Sequence, residues 1–325
     1  MIYVVSSTNN TGISMSAQGY LRPLRLANVE HEFVSYKTFL DNYNDFKNKK
    51  CLLIPVPSAW RFTPTTNLPF INAFVCESNV IPIGDASKLR CIQEIWTPSR
   101  FCQQVLKNNH FDSKWVPYSM EMPLRECTKN QKMFTFLCSF DGKFTIHRKG
   151  IVHAINAFKK AFVDIKDVAM VIKTFDLTER SQRILTERIG DDTRITIKNG
   201  FVETVDEIYD DVDCYVSLHA TEGFGRHIAE AMLRKSPIIC TNYGGNTDFC
   251  TEDTALLVGG EFISHKYDPQ YNWNGLWLQP NLIKAQLHMR RLYEGWVSKD
   301  IDKAKHHIEA WYSDETVAKI LKGIL

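Results

Sequence analysis

The sequence has no apolar run near the roughly 20 residues needed to cross a bilayer, so no membrane-spanning helix is expected. It has no Cys-x-x-Cys pair. Its nine cysteines are scattered and odd in number, which excludes a zinc-ribbon or thioredoxin-type motif and a fully paired disulfide framework. They read as buried thiols in a reducing compartment. The apolar start, Met1 to Val5, is too short for a secretory signal. The expected location is therefore the cytoplasm, that of an infected host if the gene is viral. A dominant charge is also lacking: the formal net charge is +2, too mild for the concentrated basic face of a dedicated polyanion binder. There is no internal repeat and no low-complexity segment. Finally, Thr11-Gly12-Ile13-Ser14 does not supply the Gly-x-Gly-x-x-Gly that follows the first strand of a dinucleotide-dependent dehydrogenase.

What is present is an ordinary globular composition, 44% hydrophobic and 23% charged over 325 residues, long enough for two cores and hence two domains. Short apolar runs alternate with amphipathic stretches: Ile2–Val5 then 13–27, Cys51–Val56, Ile71–Val75, Glu94–Trp96 then 99–108. This is the rhythm of βα units around a mainly parallel sheet. Residues 120–130 have no periodicity, carry Pro123, and read as an interdomain linker. A second series follows, with strands at Met133–Cys138, Val168–Lys173, Arg194–Lys198, Cys214–Leu218 and Pro237–Thr241. Helices are expected at 149–163, 178–189, 204–210, 225–235, 277–292, 299–311 and 313–325. The predicted division is 1–124, 125–310, and a last helix at 311–325 packing back on the first domain.

The stretch from Asp213 to Leu233 reads as strand, glycine-bearing turn and helix. Such a turn lies at the carboxyl edge of a parallel sheet, where open α/β folds bind ligands. Gly223 and Gly225 let backbone approach a ligand, and the free N–H groups of the helix start favour an anion. Glu222 and Glu230 bracket that start, about two helical turns apart, and can accept hydrogen bonds from hydroxyls on either side of a diphosphate. The plainer alternative makes Glu222 a helix cap and Glu230 a solvated helix residue.

Glu222-Gly223-Phe224-Gly225 with Glu230 eight residues after Glu222 resembles the E-x7-E signature of glycosyltransferase family four, retaining enzymes of the two-domain GT-B fold. Ser139 to Gly150, with Arg148-Lys149, is similar to that family's phosphate-binding loop. Thr241 to Phe249, with Gly244-Gly245-Asn246, resembles the loop after its next strand. Trp277-Leu278-Gln279-Pro280-Asn281 is similar to a Trp-x-Glu-Pro-Asp element, with amides in place of both acids. Glu77 to Pro82 and Ile95 to Arg100 match the first half of one branch less completely, and residues 1–70 are shorter than usual.

The resemblance implies an α/β, GT-B fold: two Rossmann-like doubly wound domains facing a central cleft. It implies Glu222, Arg148 and Lys149 as catalytic groups, with Gly12, Gly223, Phe224, Gly225, Glu230, Gly244, Gly245 and Asn246 binding the donor. The co-substrate is then a nucleotide-diphosphate sugar, with no metal and no further cofactor. The acceptor is a hydroxyl, foremost of a glycan or glycoprotein. A modified base in phage DNA is the alternative, and a non-catalytic sugar-nucleotide-binding protein is the alternative of another class. His147 and His219 read as structural residues in preference to an acid or base. The aromatic stretch from Tyr267 to Trp277 reads as a packed, turn-rich loop.

Overall fold

A computed structural model describes residues 1–8, 12–54, 60–62, 68–130, 132–142, 145–265, 275–296 and 299–325. The chain forms two compact units. The first comprises Met1–Glu121 together with Glu309–Leu325, and the second Met122–Ile308.

The first unit runs β1 (Ile2–Ser6), α1 (Gly12–Leu26), β2 (His31–Ser35), α2 (Tyr36–Asp41), α3 (Tyr43–Phe46), β3 (Cys51–Leu53), β4 (Leu68–Ala73), α4 (Ile83–Leu89), β5 (Ile92–Thr97), α5 (Arg100–Asn108) and β6 (Lys114–Trp115). Its strands form one parallel sheet in the order β2-β1-β3-β4-β5-β6. Phe39 is fully buried at the centre of a ring cluster, meeting Tyr36, Tyr43, Phe46, Phe62 and Phe70 at centroid distances of 5.6–6.3 Å.

The second unit contains β7 (Phe134–Asp141), α6 (Ile151–Ala161), β8 (Val168–Phe175), α7 (Glu179–Ile189), β9 (Ile195–Asn199), β10 (Cys214–Ser217), α8 (Arg226–Leu233), β11 (Ile238–Thr241), β12 (Leu256–Val258), β13 (Gly260–His265), β14 (Gly275–Pro280) and α9 (Leu282–Tyr293). Two more helices, α10 (Ile301–Tyr312) and α11 (Asp314–Ile324), end the chain. The main sheet is parallel, in the order β12-β11-β10-β7-β8-β9. α6 buries Ile151, Ala154, Ile155 and Phe158, the i, i+3, i+4, i+7 stripe of a core-facing helix. Thus both units are doubly wound α/β sheets, the predicted fold class.

In the first unit α11 packs on α1, and Arg22 Nε lies 3.1 Å from an Asp314 carboxylate oxygen. Among the described residues no helix is long and apolar enough to cross a membrane, and all nine cysteines are free thiols, seven of them buried.

Several elements differ from expectation for local reasons. Helix α6 starts at Ile151, not 149, because Gly150 holds a left-handed φ of +66°. Lys149 is thereby left in the loop. Residues 204–210 form one tight 3-10 turn at Val205–Ile208, closed by a Thr204–Glu207 capping box. Residues 277–292 are not one helix: β14 pairs antiparallel with β13, Trp277 facing Ile263. Pro280 ends the strand, and Asn281 caps α9 by accepting from Lys284 N at 3.0 Å. Most of the aromatic stretch, 266–274, lies outside the described residues.

The segment read as a linker has no regular structure but is bound along its length. Asp206 Oδ2 accepts from Leu124 N and Arg125 N at 3.0 and 3.3 Å, and Arg125 forms a forked pair with Asp210. Carboxylates of 206–211 thus satisfy backbone donors that no strand or helix takes up.

Candidate functional site

Adjacent strands β7, β10 and β11 send three loops from their carboxyl ends, and the sequence places the candidate residues on these loops. The loops are stitched backbone to backbone. Ala220 N donates to Arg148 O at 2.7 Å, and Gly245 N donates to Glu222 O at 2.7 Å. Three glycines are required by this closeness. A Cβ on Gly150 would sit 1.8 Å from Leu218 O, and one on Gly244, where φ is +104°, would sit 2.6 Å from Glu222 O. Gly245 is as tight, its Cβ position 2.1 Å from Gly223 O.

That scaffold buries an ionised cluster. Arg148 Nη1 lies 3.2 Å and Lys149 Nζ 2.5 Å from the same Glu222 oxygen, with side-chain exposures of 5%, 16% and 6%. Two cations thus share one anion, an excess of positive charge where ions are costly to bury. Burial alone would raise the Glu222 carboxyl, but the charges of Lys149 and Arg148 outweigh it and hold it well below the ordinary carboxylate range. Glu222 is ionised at neutral pH, and it caps no helix. Gly225, in left-handed geometry, occupies the cap position of α8.

Glu230 is buried on α8, not solvated. Its Oε1 lies 3.4 Å from Arg226 Nη1, and Tyr209 OH approaches Oε2 at 3.4 Å while donating to His227 O at 2.8 Å. At the far end of the helix Arg234 pairs with the buried Asp206 at 2.7 Å. Phe224 is buried, its ring 5.5 Å from that of Phe249. It packs the turn.

Asn246 holds the loops together. Its Oδ1 is 3.1 Å from His219 Nε2, and its Nδ2 donates to Thr241 O at 2.9 Å. His219 is fully buried, with Ser217 Oγ 2.9 Å from Nδ1 and Tyr243 O 2.9 Å from Nε2. The carbonyl needs a donor, so Nε2 carries the proton and Nδ1 accepts from Ser217. Burial lowers the His219 pKa and keeps the ring neutral. Both ring nitrogens are taken up by protein, the structural reading. His147 is exposed on the β7 loop.

The structure therefore brings Arg148, Lys149, Glu222, Gly223, Gly244, Gly245 and Asn246 together, with Phe224, Gly225 and Glu230 on the adjoining turn and helix. Gly12 belongs to the other unit, opening α1, and Thr11 lies outside the described residues, as do 143–144 of the β7 loop. Two Asp-x-Asp spacings, Asp211-Val212-Asp213 and Asp300-Ile301-Asp302, stand apart from the cluster. Asp213 precedes β10, at the sheet's opposite end, where it accepts from Thr135 N at 2.8 Å. Sequence reasoning passed over Arg226, Tyr209 and His227, although Arg226 and His227 lie inside the Glu222–Glu230 stretch. Their signal was a cation and an imidazole on the first turn of a helix, between two acids.

Residues 139–265 match the model of the family described as Glycosyl transferases group 1. No curated protein matches the chain by sequence. Among solved structures, the sucrose-phosphate synthase of Thermosynechococcus elongatus is similar over 99% of this chain and 97% of its own, with a TM-score of 0.75 and 12% identity. The Anabaena protein HepE in complex with UDP-glucose is similar over 99% and 98%, with a TM-score of 0.72 and 11% identity. The lipopolysaccharide outer core galactosyltransferase WaaB, in its apo form, is similar over 99% and 98%, with a TM-score of 0.64 and 13% identity. At such identities the likeness is one of fold, the GT-B arrangement of two parallel α/β sheets. The matched segment and the fold together support a GT-B glycosyltransferase.

Proposed function

We propose that this chain is a retaining, metal-independent glycosyltransferase that moves a sugar from a nucleoside-diphosphate sugar to a hydroxyl of a glycan or glycoprotein, in the cytoplasm. The observation that carries this reading is the buried Arg148–Lys149–Glu222 cluster, on switch-point loops within the segment that matches Glycosyl transferases group 1. Breaking the anomeric bond leaves a diphosphate with added negative charge, and preorganised cations aimed at it lower the barrier. Arg148 and Lys149 supply those cations, and the start of α8 adds its dipole. This is work that a divalent metal does elsewhere. Glu222, ionised and buried beside them, accepts a hydrogen bond from the transferred sugar, and Glu230 from the ribose. Retention rests on the resemblance to family four. HepE holds UDP-glucose, so UDP-sugars are the first donors to try.

The test is a panel of nucleoside-diphosphate sugars with glycan acceptors and a metal chelator present, following diphosphate release and the anomeric configuration of the product. Transfer with retained configuration is expected. Inverted product removes the retaining assignment, and loss of turnover on chelation removes metal independence. Binding without turnover would make the chain a sugar-nucleotide binder.

A further inference from the structure

His227, the second residue of α8, takes part in none of the ion pairs yet stands among them. The charges that act on its ring are those of Glu230, Lys149, Glu222 and Arg226. It is half-buried. Its Nδ1 lies 2.9 Å from Ser139 Oγ, and Ser139 Oγ lies 2.8 Å from Tyr215 OH. No described residue meets Nε2.

The direction of this chain of hydrogen bonds follows from counting protons. Tyr215 is buried, and burial pushes its phenol far above the ordinary value, so it keeps its proton. A buried donor needs an acceptor, and among the described residues the one in reach is Ser139 Oγ. Ser139 then has its single proton left to give, and the atom on its other side is His227 Nδ1, which must accept. Burial lowers the His227 pKa and favours the neutral ring. A neutral ring that accepts at Nδ1 carries its proton on Nε2. The opposite direction would leave the Tyr215 proton facing nothing. His227 is therefore an uncharged N–H donor of fixed orientation on the first turn of α8, the end of a helix that favours anions.

Such a group can give a hydrogen bond but not receive one. Ribose and sugar hydroxyls suit the carboxylates of Glu222 and Glu230, which only accept. Phosphate oxygens, which also only accept, suit Nε2–H. We propose that His227 binds the sugar-nucleotide donor by hydrogen-bonding a phosphate oxygen through Nε2–H, with Ser139 and Tyr215 as positioning residues that fix the tautomer. This rests on the sugar-nucleotide reading of the site. Reversing the relay would turn a lone pair toward the phosphate, and attraction would become repulsion.

The experiment titrates UDP, GDP and uridine into the wild type, His227→Ala, His227→Gln and Ser139→Ala, using calorimetry for the diphosphates and ligand-observed NMR for the nucleoside. His227→Ala should weaken the better-bound diphosphate about tenfold and leave uridine unchanged. His227→Gln, whose amide can donate, should recover part of that loss. Ser139→Ala should weaken the diphosphate about threefold, less than the direct contact is worth. Nitrogen-15 spectra of the histidine rings should show the Nε2–H tautomer for His227 in the wild type and a mixture in Ser139→Ala. Diphosphate affinity unchanged in His227→Ala, or an Nδ1–H tautomer in the wild type, overturns the inference while the sugar-nucleotide reading stands. A wild type that binds neither diphosphate overturns that reading, and this inference with it.

Discussion

The two sheets are built by the same rule and filled differently. Taking β7 as the first strand of its unit, the second sheet has the order 3-2-1-4-5-6, while the first sheet reads 2-1-3-4-5-6, one strand fewer on the side before the reversal. In both, connections leave in opposite directions on either side of one point, and ligands bind outside the carboxyl ends there. In the second unit that point lies between β7 and β10, whose loops bury Arg148, Lys149 and Glu222. In the first it lies between β1 and β3. There the Ser6 and Ser7 hydroxyls are buried without a partner among the described residues, and 9–11 and 55–59 lie outside those residues. Topology supplies a place for a ligand, and the side chains decide its chemistry. At the switch point of the second unit these are ion pairs; at that of the first they are the hydroxyls of Ser6 and Ser7.

The largest effect expected from this contrast is on catalysis. Lys149→Ala removes a cation aimed at the leaving diphosphate and should lower transfer by about 10² to 10³, measured as diphosphate release at saturating donor. Turnover at the wild-type rate would break the site assignment.

A second comparison sets two losses of stability side by side. Glu222→Gln leaves Arg148 and Lys149 buried without their anion and should cost about 3–5 kcal/mol. Phe39→Ala empties the ring cluster of the first unit and should cost about 3–5 kcal/mol. Their responses to ligand should differ. UDP can replace the missing anion, so Glu222→Gln should bind UDP more tightly than the wild type although it transfers poorly. Phe39→Ala should bind UDP as the wild type does. Weaker UDP binding by Glu222→Gln would show that the two cations do not face the phosphates. The pH dependence has a definite sign. Because the Glu222 carboxyl is lowered in the folded state, its contribution is complete above the unfolded value of about 4.3 and is lost as pH falls through the lower folded value. Urea midpoints for the wild type and Glu222→Gln should stay apart from pH 7 to 5 and converge below that.

Glu230→Ala should act more mildly. It removes one hydrogen bond to a charged group, worth about 1.5–3 kcal/mol, and should chiefly weaken UDP, with a smaller change in turnover of bound donor. Unchanged UDP affinity would remove its assignment to the ribose.

Much of this was legible in the sequence, and the rest has physical causes. Strands such as β8 announce themselves because Val168–Ile172 is an unbroken apolar run. Strand β2 does not, since only Val34 of its five residues is buried. Trp277 to Leu292 looked helical because apolar residues fall at helical spacing across the junction of β14 and α9. Only pairing with β13 separates the two. Lys149 looked like a helix residue until Gly150 broke the helix before it. Glu222 stood out by bracketing a helix start with Glu230, whereas Arg148 and Lys149 were found through their resemblance to a family motif, since composition and periodicity carry no information on which loops meet. Asn246 and His219 brace each other, which needs the fold to be seen. The orientation of His227 is set through Ser139, which lies 88 residues from His227 and 76 from Tyr215 along the chain. No local pattern records that.

The smallest expected effect tests the contrast on one buried acid of the first unit. Asp85, in the first turn of α4, is 2% exposed, and its Oδ2 has no partner among the described residues. Glu222 is as buried but has two cations. Burial pushes the Asp85 carboxyl up to about 6, against a weaker opposing pull from Lys88. The sign is the reverse of that for Glu222. A carboxyl raised in the folded state favours folding while protonated, and this advantage is lost as pH rises from the unfolded value of about 3.9 through the folded one. Asp85→Asn keeps the shape and removes the charge. It should therefore raise the melting temperature at pH 8, and the gain should shrink as pH falls through about 6. A gain that is the same at pH 5 and pH 8 would mean that shape, and not the buried charge, sets the cost. If Asp85→Asn instead destabilised the protein at pH 8, the carboxylate would have to hold a partner of its own, and the distinction drawn between the two buried acids would fail.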